Sequence, residues 1–86
     1  MATAGVEAFQ KDDYTVAVDK LERAYKMLPV PSIGLWLARA LAKQGRLVEA
    51  AERYTEVGRL PVSSGDTAVQ ESAKKDAATE LDALTP

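Results

Sequence analysis

The chain lacks the two residue types on which most active sites and metal sites depend, because it contains no cysteine and no histidine. Without cysteine there is neither a disulfide framework nor a thiolate metal site. Without histidine as well, the commonest general bases, nucleophiles and metal ligands are missing. A phosphate-binding loop is not indicated, since residues 63–66 (SSGD) lack its lysine and a preceding strand. We therefore expect no enzyme activity, no catalytic residue, no metal site and no cofactor.

Long apolar runs and a strong charge of one sign are also missing. No apolar run approaches the ~18–20 residues that a membrane span requires, and residues 1–5 lack the basic start and apolar stretch of a signal peptide. The net charge of −2 argues against nucleic acid or an anionic membrane as the main partner. We expect a soluble domain without membrane insertion and a fragment of a longer protein, and the sequence leaves its compartment, cytoplasmic or periplasmic, open.

What the sequence does contain is helical periodicity between short turn signals. The turn signals are residues 11–13, 28–32, 44–46 and 60–66. The blocks between them have the length of helices, and the second block repeats apolar residues at steps of three and four, as one helix face requires. That face consists of Tyr14, Ala17, Leu21, Ala24 and Leu28. No alternation with period two is sustained, so we predict an all-α domain of five helices.

Several residues indicate how these helices begin and end. Gly45 is placed where a helix stops in the left-handed region, and Asp12 holds the corresponding place after the first block. Pro31 suits the first turn of the third helix. For the fifth helix, Asp66 or Thr67 is a candidate N-cap, and Gln70 follows Thr67 at capping-box spacing.

The second and fourth blocks are two copies of one pattern. When the second block is moved along the chain until Tyr14 meets Leu47, Ala17 falls on Ala50. The same shift places small Gly5 on small Ala38. Small residues at a helix crossing let two backbones approach closely, so these sites predict where the helices of a pair touch. A helix–turn–helix unit that recurs every ~33–34 residues is typical of a helical solenoid.

With these sites in register, the chain resembles the tetratricopeptide repeat (TPR) family over residues 1–62. The positions of the family pattern fall, in the first copy, on Gly5, Asp12, Tyr14, Ala17, Leu21, Ala24 and Pro29. In the second copy they fall on Ala38, Gly45, Leu47, Ala50, Tyr54 and Val57, with Pro61 one place early. Three residues depart from the family's types: Asp12 replaces the turn glycine, Leu47 an aromatic residue and Val57 an alanine. The resemblance implies a right-handed α-solenoid with hairpins over 1–29 and 31–62 and a capping helix over 66–84. Residues 28–51 also resemble modules attached to larger bacterial regulatory or envelope proteins.

The resemblance further implies a concave groove, lined by the first helix of each pair, that receives a peptide or helix of a partner protein. The residues that map to this groove are Val6, Phe9, Gln10, Ser32, Leu35, Arg39, Ala42 and Lys43, with Trp36 at its flank. Phe9 and Leu35 would supply apolar anchoring, while two cations four residues apart suit a carboxylate. We therefore expect a protein or peptide partner with an acidic and apolar segment.

Each of these assignments has a structural alternative. Trp36 can pack between the two helix pairs. Arg39 and Lys43 can form a solvated face or pair with the acidic fifth helix. The chain contains no asparagine, so the carboxylate clamp that part of the family builds from paired asparagines and lysines is not supported.

The fifth helix carries a narrow apolar stripe on an otherwise polar surface. The stripe consists of Val69, Ala73, Ala77, Leu81 and Leu84. A terminal helix of this kind caps a solenoid by covering the apolar face of the last repeat, and the alternative is an acidic helix that docks elsewhere. Two functions remain open: a protein-binding adaptor that uses the groove, or a structural module that forms homo-oligomers through its solenoid ends.

Overall fold

Five α-helices account for the regular structure in the part of the chain that is described. The computed structural model describes residues 2–62 and 67–84. In chain order the helices are α1 (Ala2–Gln10), α2 (Tyr14–Met27), α3 (Pro31–Lys43), α4 (Leu47–Arg59) and α5 (Thr67–Leu84). No strand occurs within the two described ranges. The predicted all-α class with five helices is confirmed.

The third helix is the centre of the packing. Each helix packs against the next one along the chain, and α3 also contacts α5 and, more lightly, α1. As a result α3 contacts all four other helices. The helices form a slab with principal extents of 33 × 30 × 18 Å.

The core follows the repeat register of the sequence. Ala17 and its counterpart Ala50 are both 0% exposed. The next pair along the register, Leu21 and Tyr54, is also buried. Corresponding positions of the two copies therefore face the interior, which is the condition the predicted repeat has to meet.

At two positions a glycine allows one helix to approach another closely. A Cβ atom on Gly5 would lie 2.6 Å from Cγ of Leu21, so the predicted contact between this small site and the second helix is confirmed. A Cβ atom on Gly34 would lie 2.6 Å from Cγ2 of Val57 and 2.9 Å from Cε1 of Tyr25. Gly34 therefore sets the spacing of α3 from both α2 and α4, a role that the repeat register did not reveal.

The turns that end α1 and α3 are built alike. Asp12 has φ of 62° and Gly45 has φ of 79°, so the predicted left-handed conformation is confirmed at both sites. After Asp12, the Asp13 amide donates to the Ala8 carbonyl at 2.9 Å. After Gly45, the amide of Arg46 donates in the same way to the carbonyl of Leu41 at 3.0 Å. These hydrogen bonds, which are those of a Schellman motif, recur at corresponding positions of the two copies.

Replacing Gly45 by alanine is expected to destabilise the protein through backbone conformation alone. A Cβ atom there would have nothing within 4 Å, whereas an alanine in the left-handed region costs about 1 kcal/mol. Chemical denaturation should show this loss for Gly45→Ala and a smaller one for Gly45→Asn, because asparagine tolerates the region better. Equal stabilities of wild type and Gly45→Ala would contradict the assignment.

Two leucines that the pattern placed on buried faces are instead half exposed. Leu28 is 54% exposed because it is the C-cap of α2, where the backbone has already left the helical conformation. Leu47 is 50% exposed. Its counterpart Tyr14 packs against Phe9, but Ala42 occupies the place of that phenylalanine in the second copy and offers no ring to cover Leu47.

The fifth helix buries its predicted stripe except at the N-terminal end. Ala73 and Ala77 are buried, and Leu81 and Leu84 are partly buried against the core, but Val69 is 49% exposed. The predicted capping box does not form, because the side-chain oxygen of Gln70 accepts a hydrogen bond from another helix, as described below. Asp66, the other candidate cap and the predicted first residue of this helix, lies outside the described residues.

Candidate functional site

Three aromatic rings, one each on α1, α2 and α3, pack in a row. The ring of Phe9 on α1 lies 5.3 Å from that of Tyr14 and 5.2 Å from that of Trp36 on α3, both edge to face. Each such contact stabilises the folded protein by about 0.5–1.5 kcal/mol, in addition to the contribution from burying the rings. On α1, Val6 is partly buried and Gln10 is exposed. Two of the predicted site residues, Phe9 and Trp36, are thus brought together.

Arg39 extends from α3 to α5. Its guanidinium lies 5.0 Å from the centre of the Trp36 ring. Its Nε atom is 2.9 Å from Oε1 and 3.1 Å from Oε2 of Glu80, and its Nη2 atom is 2.6 Å from Oε2 of the same residue. Asp76, one turn earlier on α5, lies 3.9 Å from Nη2. The fifth helix therefore compensates the charge of Arg39.

Glu80 joins three helices through its carboxylate. In addition to Arg39 on α3, it accepts a hydrogen bond of 3.0 Å from the hydroxyl of Tyr54 on α4. Burial, the largest single influence, would raise the pKa of Glu80, but the hydrogen bonds from Arg39 and Tyr54 and the positive charge of Arg39 together outweigh it, and the pKa is lowered. Burial, followed by the bond to Glu80, raises the pKa of Tyr54. The carboxylate is thus held in its charged form.

Replacing Glu80 by glutamine is expected to make stability less sensitive to acid. Since the pKa of Glu80 is lowered in the folded protein, its contribution is complete above the unfolded-state value of about 4.3. That contribution is lost as the pH falls through the lower, folded-state value. Glu80→Gln should lose about 1 kcal/mol at pH 7, with a smaller further loss on acidification than wild type.

The measurement is denaturant unfolding between neutral pH and about pH 3, the region in which a glutamate titrates. Glu52→Gln is the matched control, because Glu52 is an exposed glutamate on α4, and this variant should keep the acid response of wild type. Parallel pH profiles for wild type and Glu80→Gln would show that the carboxylate does not hold α5 through its charge.

A cleft of about 390 Å³ lies between α3 and α5, and we call it the α3–α5 cleft. Its wall on α3 is formed by Ser32, Leu35, Trp36 and Arg39, and its wall on α5 by Ala68, Val69, Ser72, Ala73 and Asp76. Leu35 is only 5% exposed and belongs to the core, whereas Val69 is half exposed. The cleft therefore combines an apolar floor with one exposed apolar side and a charged end.

Beside Ser32, at the N-terminal end of α3, a hydrogen bond joins the two helices that form this cleft. The amide of Ser32, in the first turn of α3, donates to Oε1 of Gln70 on α5 at 3.0 Å. The N-cap of α3 is Val30, which offers no side-chain acceptor. Because the first amides of a helix have no partner within it, Gln70 supplies from another helix the acceptor that this helix end lacks.

The structure separates the two cations that the sequence placed together. Arg39 contacts α5, whereas Lys43, one turn later on α3, is exposed. Sequence reasoning placed Val69 in the apolar stripe of the fifth helix but identified neither Val69 nor Glu80 as a residue of the site. The four-residue spacing of Asp76 and Glu80 was a usable signal, since carboxylates at that spacing share one helix face.

A second polar cluster lies between α2 and α4. The hydroxyl of Tyr25 donates to Oε1 of Glu56, whose Oε2 is 3.2 Å from Nη1 of Arg53. Burial, followed by this hydrogen bond, raises the pKa of Tyr25. A cavity of about 260 Å³ adjoins the cluster and is lined by Glu22, Tyr25, Lys26, Pro29, Leu37, Arg53 and Glu56. None of the predicted site residues lines it.

Neither a metal-binding cluster nor a membrane span is found in the part of the chain that the structure describes. Over these residues, no group of three or more acidic side chains could hold a metal ion. No helix there has the length and apolar character needed to cross a membrane. Comparison of the chain with protein-family models, with curated proteins and with solved structures gave no match in any of the three.

Proposed function

We propose that the protein is a protein-interaction module of the TPR type: a right-handed α-solenoid with hairpins over residues 1–29 and 31–62, and α5 as its cap. Three observations support this arrangement. The helix-end hydrogen bonds recur at corresponding positions of the two copies, the corresponding alanines are buried, and helices pack in chain order around α3.

The proposed binding surface runs from α1 across α3 to α5. It begins at Phe9, continues over Trp36 and ends in the α3–α5 cleft. The observation that carries the proposal is the cleft itself, because Trp36 and Val69, both partly accessible, face an open apolar space of about 390 Å³. Concave apolar surfaces with a few polar groups are typical of ligand sites, and aromatic residues dominate binding hot spots.

The partner is a peptide or helix of another protein, and the protein has no enzymatic role in this proposal. The acidic and apolar segment expected from the sequence would use Lys43, the exposed cation of the pair, because Arg39 is compensated by Glu80.

Selection of a displayed peptide library on the full chain tests the proposal. Enriched peptides should bind wild type and lose roughly three- to tenfold in affinity for Val69→Ser, because loss of an apolar wall of this size costs about 1 kcal/mol. Val48→Ser is the matched control, since Val48 is 75% exposed on α4 and does not line the cleft. Peptides that bind both variants equally, or a failure to enrich any peptide, would contradict the proposal.

Self-association is the second candidate, and the exposure of apolar residues outside the cleft favours it. Met27 is 69% exposed and Val48 is 75% exposed. Exposed apolar side chains can be covered by a second copy of the chain. Sedimentation velocity across a concentration series should then show a dimer that Val48→Ser weakens, whereas a monomer at all concentrations would exclude this candidate.

A further inference from the structure

The charges at the α3–α5 cleft do not balance. Arg39 and Asp76 line the cleft, and Glu80 binds Arg39 at its end. Counting one positive and two negative groups, the cluster carries a net charge of −1. The three side chains also differ in their exposure to solvent: Asp76 is 50% exposed, compared with 27% for Arg39 and 30% for Glu80.

The positive member of this cluster is already engaged on several sides. Arg39 donates to both carboxylate oxygens of Glu80 and lies against the ring of Trp36. Asp76 is 3.9 Å from Arg39, which is too long for a hydrogen bond. A ligand that enters the cleft therefore meets the Asp76 carboxylate, whose negative charge is only partly compensated. The positive charge of Arg39 is already compensated by Glu80.

From these charges, and resting on the function proposed above, we infer that the α3–α5 cleft selects a peptide segment that combines apolar side chains with a lysine or arginine. The apolar side chain lies between Trp36 and Val69, above Leu35. The cation of the ligand lies beside Asp76 and replaces the distant Arg39 as its closest partner. The chemistry of this cleft is thus opposite in sign to the acidic segment expected from the sequence alone.

The size of the cleft limits what enters it. Its volume of about 390 Å³ is near the lower end of the range for small-ligand pockets, roughly 300–1,000 Å³. Such a space accepts one or a few side chains rather than a whole helix. A short peptide is therefore a sufficient probe, and a folded partner is not needed for the test.

Three matched tetrapeptides provide that probe: acetyl-Lys-Leu-Leu-Lys-amide and its counterparts with glutamine or glutamate in place of both lysines. Binding to the full chain is followed by NMR at the indole N–H of Trp36, which is the only tryptophan in the chain. The lysine peptide should bind about two- to fivefold more tightly than the glutamine peptide, as expected for an exposed ion pair. The glutamate peptide should bind most weakly.

Two variants and a salt series assign the difference to Asp76. Asp76→Asn should remove the preference for lysine, whereas Asp82→Asn, the same change at an exposed α5 residue outside the cleft, should retain it. The preference should also decrease with added salt, because exposed charges are screened.

The outcomes distinguish this inference from the function on which it rests. If all three peptides shift the Trp36 signal with equal affinity, or if the glutamate peptide binds best, the charge selectivity is wrong and the binding role of the cleft remains. If none of them shifts the signal at millimolar concentration, the cleft binds no apolar side chain, and both the inference and the proposed binding surface are wrong. Unchanged selectivity in Asp76→Asn would also overturn the inference.

Discussion

A chain that ends at Ser64, and so lacks α5, is expected to lose most of its helical circular dichroism. The fifth helix covers α3 and α4, and its removal leaves Arg39 and Tyr54 without the carboxylate that both contact. The helix also buries Ala73 and Ala77 and partly buries Leu81 and Leu84 against the core, at roughly 0.8 kcal/mol for each CH₂ group removed from water. A domain of 86 residues has only about 4–13 kcal/mol of stability in total. Loss of this burial together with the polar contacts therefore approaches the whole.

The measurement is thermal unfolding of the truncated and full chains, followed at 222 nm. A chain that ends at Leu84 is the control, because it keeps all of α5 as the structure describes it, and it should melt like the full chain. Addition of a synthetic α5 peptide to the truncated chain should restore part of the helical signal. A truncated chain that melts like the full chain would show that the first four helices are stable alone and that α5 is not a cap.

Replacing Gly34 by alanine is expected to have the second largest effect, despite adding one methyl group. That methyl would lie 2.6 Å from Cγ2 of Val57 and 2.9 Å from Tyr25, so α3 has to move away from α2 and α4 or their side chains have to leave their rotamers. Overpacking of this kind costs about 1–3 kcal/mol. Ala in place of Gly normally stabilises a helix interior by about 1 kcal/mol, so the clash has to exceed that gain.

Gly58→Ala separates the two contributions. Gly58 also lies inside a helix, but a Cβ atom there would have nothing within 4 Å. Gly58→Ala should therefore raise the free energy of unfolding by up to about 1 kcal/mol, while Gly34→Ala lowers it. Denaturant unfolding of both variants checks the difference in sign, and a stabilising effect of both would show that the contacts at Gly34 adapt without cost.

The helices and turns could be predicted because their signals are local. Pro31 begins a helix and Gly45 ends one through their own backbone preferences, and Asp12 belongs to a residue type that tolerates the left-handed conformation found there. Burial at Ala17 and Ala50 followed from periodicity, which a helix expresses at every turn. The prediction of burial was wrong for Leu28 and Leu47, because burial at a helix end depends on which side chains of neighbouring elements cover it.

The contacts of α5 could be predicted only in outline. The sequence allowed an ion pair between α3 and an acidic fifth helix, but not the choice of Glu80 as the partner of Arg39. The two residues are 41 positions apart in the chain, and the helix–turn–helix repeat does not extend to α5, so it gives no register for this pair. Gln70 was assigned to its own helix end because capping is usually local, whereas the packing places it against Ser32. Polar partners across a helix interface thus depend on the rotation of an alanine-rich helix, which its sequence constrains weakly.

The bond from Ser32 to Gln70 makes one backbone amide a reporter on the attachment of α5. Hydrogen exchange at the Ser32 amide requires α5 to separate from α3, because its acceptor belongs to that helix. Exchange at Leu41, deep in α3, requires disruption of α3 itself. If α5 detaches without global unfolding, the Ser32 amide exchanges faster than the Leu41 amide, and the Ser32 rate divided by the rate of an unprotected amide gives the population of molecules with an open cap.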